Sequence, residues 1–426
     1  MKKTFLLLML VPLLLSAQKK GGGKLPAPYA TPSVTKYSNV IGWKDGARPQ
    51  APSGFTVTKY AADFDNPRWM YVVPNGDVLV AESNSNYSVP KQVGAAIIGA
   101  GKSNNLNNSA DVITILRDTN QDGQPDFRVK LLTRENGLNQ PFGMLVIGDG
   151  FYVANTDALL RYPYDRNENR ITGEPVKLTD LPAGKHNQHW TRNIIANADN
   201  SKIYIAIGCG SNVAEHGIEA ESGKAAIYEI NPDGSGLKLY ASGLRNPVGM
   251  DWAPGTQTLW TTVNERDELG NELVPDYLTS VRRGGFYGWP YSYWGGHVDP
   301  RIKKEDMRPD LVKTAIVPDV DLGAHTASLG LLFYTGKSFP AKYRNGAFIA
   351  QHGSWNREPL SGYKVVFVPF KNGKPTGKYE DFLTNFIVDP DKGEVRGRPV
   401  GLALLPDGSM LVTDDKTNTI WRVAAD

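Results

Sequence analysis

A single cysteine, Cys209, is the whole thiol complement of this 426-residue chain. One thiol excludes an intrachain disulfide framework, and without a C-x-x-C-H run the sequence has no covalent haem site. Cys209 itself reads as a small buried residue rather than a nucleophile. Charge of one sign is also lacking, since 47 Lys and Arg stand against 44 Asp and Glu. That balance offers nothing to nucleic acid or to a strongly acidic partner. Beyond the first twenty residues no apolar run reaches the length of a membrane-spanning helix. Amphipathic helical periodicity is nearly absent.

The N-terminus, MKKTFLLLMLVPLLLSAQKK, has two lysines, an apolar run and the small residues Ser16 and Ala17. This predicts a signal peptide over 1–17, a flexible tether and lead-in over 18–50, and one domain over 51–426. The expected location is the periplasm, free or membrane-associated, with no transmembrane segment in the mature chain.

What the chain does have is 44 glycines and 29 prolines, a composition for many short strands and turns. One unit recurs: a polar residue, often a proline, an apolar run, a Gly/Asn/Asp turn and an alternating strand. It occurs as DNPRWMYVVPNGDVLVAES at 65–83, LNQPFGMLVIGDGFYVANT at 138–156 and HWTRNIIANADNSKIYIAIG at 189–208. It returns as LRNPVGMDWAPGTQTLWTTV at 244–263, TASLGLLFYTG with RNGAFIAQHG between 326 and 353, and GRPVGLALLPDGSMLVTDD at 397–415. Each unit is a hairpin, and the spacing leaves room for two more strands per unit. Six such units predict an all-β fold, a six-bladed β-propeller of four-stranded antiparallel blades.

In a propeller the residues just before each innermost strand converge on one funnel. Here these are Arg68, Asn139 and Gln140, His189 and Arg192, Arg245 and Asn246, His325, and Arg398. Cations and imidazoles with few acids among them suit a polyanionic ligand.

At these residues the sequence resembles the pyrroloquinoline quinone (PQQ) dependent sugar dehydrogenases, in the sorbosone dehydrogenase-like branch. The resemblance is carried by HWTRN at 189–193, GLRNPVG at 243–249, NERDELGNELVPDYLTSV at 264–281 and GGFYGWPYSYWGGHVDPR at 284–301. HTASLGLLFY at 325–334, QHGSWNREPLSGYKVVFVPF at 351–370 and GRPVG at 397–401 complete it. It implies PQQ over the funnel, a calcium ion, an aldose or sorbosone-like aldehyde as substrate, and an external electron acceptor, either a cytochrome or a quinone. It makes His189 the candidate base, with His186 as the alternative, and sets Arg245 beside the quinone. Cofactor contacts would come from Gln140 or Asn139, Arg192, Arg245, Asn246, His352, Arg357, Arg396 and Arg398. His325 and Trp355 would border the sugar.

Two segments are rich in the oxygen ligands that calcium takes. One is 264–272, with Glu265, Asp267 and Glu272; the other is 118–126, with Asp118, Asn120, Asp122 and Asp126 in EF-hand-like order. Two further readings share the architecture: a calcium-dependent lactonase-type hydrolase, and a non-catalytic propeller that binds glycans or proteins.

Overall fold

A computed structural model describes residues 25–426. The expected signal segment, 1–17, and the lysine-glycine stretch at 18–24 lie outside the described residues. Every repeat is an antiparallel hairpin, because a Gly/Asn/Asp turn separates two apolar runs of strand length. Each hairpin grows into a sheet.

The first sheet runs Pro67–Val72, Val78–Glu82, Val112–Arg117 and Phe127–Leu132. In the second, Met144–Ile147 and Gly150–Ala154 are followed by Ala158–Asp165, which pairs with Arg170–Ile171 and Val176–Asp180. The third holds Arg192–Ala196, Ile203–Ile207, Ala226–Ile230 and Lys238–Ser242, with Gly285–Phe286 added in parallel. The fourth is Pro247–Trp252, Leu259–Val263, Pro275–Ser280 and Val320–Ala324. The fifth is Ser328–Phe333, Ala347–Gln351, Lys364–Val368 and Glu380–Leu383. Pro399–Leu404, Met410–Asp414 and Thr419–Ala425 form the sixth, whose fourth strand is Phe55–Ala61 from the other end of the chain. The second and third sheets thus each carry a fifth strand.

Neighbouring sheets meet near their first strands, and the sequence of contacts returns to its start. The Tyr71 hydroxyl accepts from Val146 N at 3.3 Å, and Gly143 N donates to Arg192 O at 2.9 Å. Asn193 Nδ2 donates to Val248 O at 2.8 Å, and Thr262 Oγ1 to Leu329 O at 2.7 Å. The fifth sheet meets the sixth where a Cβ on Gly330 would stand 2.2 Å from Val400 O. The sixth meets the first where a Cβ on Gly401 would be 2.8 Å from Arg68 O. The glycine of the repeated Pro-x-Gly or Ser-x-Gly motif therefore serves close approach between sheets, which any side chain would prevent.

Four first strands also shift register near their start, between Pro67 and Trp69, Pro247 and Met250, Ser328 and Gly330, and Pro399 and Leu402. Such bulges re-aim the residues beside them, and that is where the polar candidates stand. Helices are few and short, Val89–Ile97, Ala100–Ser103 and Pro309–Thr314. Among the described residues no helix is long and apolar enough to cross a membrane.

Candidate functional site

The candidates occupy the starts of the first strands in two adjoining clusters, joined through the neighbours His189 and Trp190. In the first cluster, the half-buried His189 sits three residues before Arg192–Ala196. Its Nδ1 is 3.0 Å from the carbonyl oxygen of Cys209 and 3.2 Å from the Cys209 thiol. A carbonyl oxygen only accepts, so Nδ1 carries the hydrogen and Nε2 keeps its lone pair. Burial, and then the Arg245 guanidinium, push the His189 pKa down to about 3, leaving the ring neutral at pH 7. Room for the ring comes from Gly208, where a Cβ would stand 2.6 Å from His189 Cβ and 2.4 Å from Asn246 Oδ1.

Arg245, 1 % exposed, is locked by the loops around it. Its Nη1 donates to Glu265 O at 2.7 Å, Nε to Asn212 O at 3.1 Å, and Nη2 to Asn212 Oδ1 at 2.9 Å. Asp267 lies 3.5 Å from Nη2 and 3.2 Å from His325 Nδ1. Burial acts to raise the Asp267 pKa, but His325 and Arg245 together hold it below the usual carboxylate range. His325 is fixed at both nitrogens, with Nε2 2.8 Å from Gly270 O. Asn246 keeps a buried Oδ1 with no partner, an unsatisfied acceptor of the kind native structures rarely leave.

The second cluster lines a pocket of 180 Å³ that includes Arg68, Tyr87, Trp190, His352, Arg398 and Lys416, with Asp415 as its one carboxylate. Arg68 pairs with Asp415, and His352 Nε2 lies 3.0 Å from both oxygens of that carboxylate. Burial, and then Arg398, push the His352 pKa down to about 4. Arg398 donates to His352 O, Gly353 O and Ser103 Oγ, each at 3.0 Å, and also to Asn104. Lys416 reaches the same pocket from a different loop.

The other expected residues are tied to protein partners. Arg192 is fully buried and spends its donors on His189 O, Pro182 O and Asn187 Oδ1, each at 2.7 Å. It braces the backbone of His189. Asn139 is held by Asp157, and Gln140 Nε2 donates to Asn84 O, each at 2.8 Å. Arg357 pairs with Glu272 at 2.8 Å, and Arg396 binds Asn385 beside Trp43. Trp355 stacks on Tyr37. His186 stacks on His216 with centroids 3.7 Å apart.

The acidic side chains of 264–272 do not form one ligand set. Glu265 turns to the fully buried Arg266, Asp267 to His325, and Glu272 to Arg357. In the hairpin loop 118–126, Asp118 accepts from Gly123 N and Asp126 from Thr119 N, while Asn120 and Asp122 bond each other. Among the described residues no group of three or more His, Cys, Asp or Glu could hold a metal ion.

Several partners were not evident from the sequence. Asn212 bridges Arg245 and Asp267, and Asp415 carries the second cluster. Ser103 and Asn104 arrive on the insertion at 84–110, which folds against Arg398. The pair LVTDD at the end of the sixth repeat was the one local signal for Asp415.

A glucose/sorbosone dehydrogenase family model matches residues 64–356, and a TrAA12-like model matches 303–426. A PQQ-dependent pyranose dehydrogenase of Coprinopsis cinerea is 34 % identical over 345 residues, 68 % of this chain and 46 % of that protein. The match thus spans about half the length of that relative. A holo PQQ domain of pyranose dehydrogenase from the same organism superposes with a TM-score of 0.67 at 20 % identity, covering 92 % of this chain and all of that one (100 %). The calcium structure of a Trichoderma reesei carbohydrate-active enzyme of family AA12 gives a TM-score of 0.71 at 18 % identity, covering 91 % and 98 %. At that identity the two structures speak for the fold alone. With its family-model match extending from the first repeat to the loop of His352, the chain belongs to the glucose/sorbosone dehydrogenase family.

Proposed function

We propose that this protein oxidises an aldose or a sorbosone-like sugar aldehyde with PQQ, on a six-bladed propeller, and passes the electrons to an external acceptor such as a cytochrome or a quinone. The observation that carries the reading is the His189 tautomer, a neutral imidazole with Nε2 free, beside Arg245 and next to a cation-lined pocket.

The residues fit the cofactor. Arg68, Arg398, Lys416 and His352 line a pocket with a single carboxylate, the donor set that a tricarboxylate needs. Arg68 Nε and Asn246 Oδ1 are buried without partners and are available to a planar, hydrogen-bonding guest. Arg68, His352, Arg398 and Lys416 would hold carboxylates, with Arg245 and Asn246 toward the reacting end. PQQ, when bound, supplies a carbonyl that takes up hydride. His189 Nε2 takes the proton from the sugar hydroxyl as general base. Cys209 O keeps the ring from turning, Arg192 holds the His189 carbonyl, and Arg245 contributes fixed positive charge where negative charge grows.

Calcium belongs to the same proposal; the acidic side chains of 264–272 and 118–126 have protein partners in this structure, and backbone carbonyls can also serve a calcium ion. The lactonase alternative needs carboxylates gathered around a cation, and the mouth gathers cations instead. Export to the periplasm, argued from residues 1–17, belongs to the same proposal. The test is a panel of aldoses and sugar aldehydes with a redox dye, with and without PQQ. Dye reduction that needs both sugar and PQQ supports the proposal. Lactone hydrolysis without PQQ, or PQQ binding without turnover on any sugar, contradicts it.

A further inference from the structure

Residues 29–40 form a strap rather than a loose lead-in. Tyr29 N donates to Leu269 O at 2.8 Å, while Ser33 Oγ and Thr31 Oγ1 accept from Gly270 N and Asn271 N, each at 2.9 Å. Further along, Val34 O accepts from Asn356 Nδ2 at 2.6 Å, and Lys36 N donates to Trp355 O at 2.8 Å. Ser38 Oγ lies 3.0 Å from Ser103 Oγ, the same hydroxyl that binds Arg398. Asn39–Val40 then pairs in parallel with Glu394–Val395. The strap therefore joins the segment carrying Asp267 to the segment holding Arg398, spanning the two clusters.

Tyr37 lies between the Lys36 and Ser38 anchors. Its half-buried ring stacks on Trp355, with centroids 5.9 Å apart and planes 13° from parallel. After burial, the groups that act on its hydroxyl are Tyr87, from the cation-lined pocket, and Asp267, from the His189 cluster; together they raise its pKa. Geometry sets the residue between the clusters: Ser38, next in the chain, touches Ser103 of the cation-lined pocket, and Trp355, its stacking partner, adjoins Asn356, whose Oδ1 accepts from Glu268 N beside Asp267 at 2.8 Å. A tyrosine present only for packing would need no position between two polar clusters.

We infer that Tyr37 is a sugar-contacting residue that sets substrate selectivity at this mouth, its ring backed by Trp355 and its hydroxyl offered to a sugar oxygen. The inference rests on the sugar dehydrogenase reading. Chemistry favours a sugar over the cofactor here, because an aromatic face with one neutral donor suits C–H groups and hydroxyls, whereas carboxylates go to the cations.

The test compares the parent protein, Tyr37→Ala and Tyr37→Phe by calorimetric titration with a panel of aldoses, with and without PQQ, alongside PQQ affinity. Tyr37→Ala should weaken binding of the preferred aldose by about tenfold and reorder the panel. Tyr37→Phe should lose a smaller part and keep the order, and PQQ affinity should stay within about threefold in both. If both variants bind the panel as the parent does, or the parent binds no sugar in either condition, the inference is overturned. Should Tyr37→Ala fail to fold, Tyr37→Phe decides alone through the loss of the hydroxyl contact. A parent that binds sugar but not PQQ would sink the dehydrogenase reading and leave the Tyr37 comparison standing.

Discussion

His189 and Cys209 are joined by a 3.0 Å contact from the imidazole Nδ1 to the backbone carbonyl oxygen, and this fixes which nitrogen is free. The carbonyl, not the thiol, orients the ring. His189→Ala should therefore lower kcat by about 10²–10⁴, with PQQ affinity within about threefold of the parent. Cys209→Ser, which keeps the carbonyl, should retain kcat within about threefold. Activity that survives His189→Ala would move the base to His186.

The same environment makes a pH prediction. With a pKa of about 3, His189 keeps its unprotonated form well below neutrality. An unperturbed imidazole would lose half its base form near pH 6.5. The kcat/KM profile should show no acid limb from this group between pH 8 and 5. Stability moves the other way, because the unfolded chain binds a proton that the folded ring refuses. The His189 contribution is whole above about pH 6.5 and declines as pH falls toward 3. Denaturation of His189→Gln at pH 7 and pH 4 should show the variant gaining on the parent at the lower pH.

Arg266 tests the support beneath the site. It is fully buried, 2.9 Å from Glu265 and 3.2 Å from Asp299, and Ser292 O accepts from it at 2.8 Å. Arg266→Ala leaves two carboxylates buried with less compensation and should cost about 3–5 kcal/mol. Because Glu265 O holds Arg245, activity should fall before the fold is lost. Chemical denaturation monitored with turnover checks both.

Gly330→Ala tests the ring of sheets. A methyl group 2.2 Å from Val400 O forces two first strands apart, and overpacking of this kind costs about 1–3 kcal/mol or more. Reduced expression or a Tm lowered by several degrees is expected. Wild-type stability would contradict the close approach.

Much of the fold was legible because each hairpin is written in contiguous residues: an apolar run, a turn and an alternating strand, with the motif glycine where sheets touch. The positions of His189, Arg245, His325 and Arg398 followed from the same repeat. Their partners did not, because Arg68 and Asp415, or Arg398 and Ser103, are hundreds of residues apart in sequence and carry no shared local pattern. Arg192 shows the limit clearly. It stands at the start of its strand as the repeat requires, yet its guanidinium turns inward to carbonyls. Composition shows the oxygen donors of Asp267 and Glu265 but not their ion pairs with His325 and Arg266, which come from other segments or from the next residue. Tyr37 was hidden in a lead-in with no periodicity.

The central claim is that the two clusters form one PQQ site with a base at its edge. Its most direct test is calorimetric titration of PQQ into metal-stripped protein, with and without added calcium, beside Arg398→Ala. The account predicts saturable binding of one PQQ per chain, weakened by about tenfold or more in the variant, and sugar-dependent dye reduction once the site is filled. Absence of saturable binding in both conditions, or equal affinity in the variant, would contradict it.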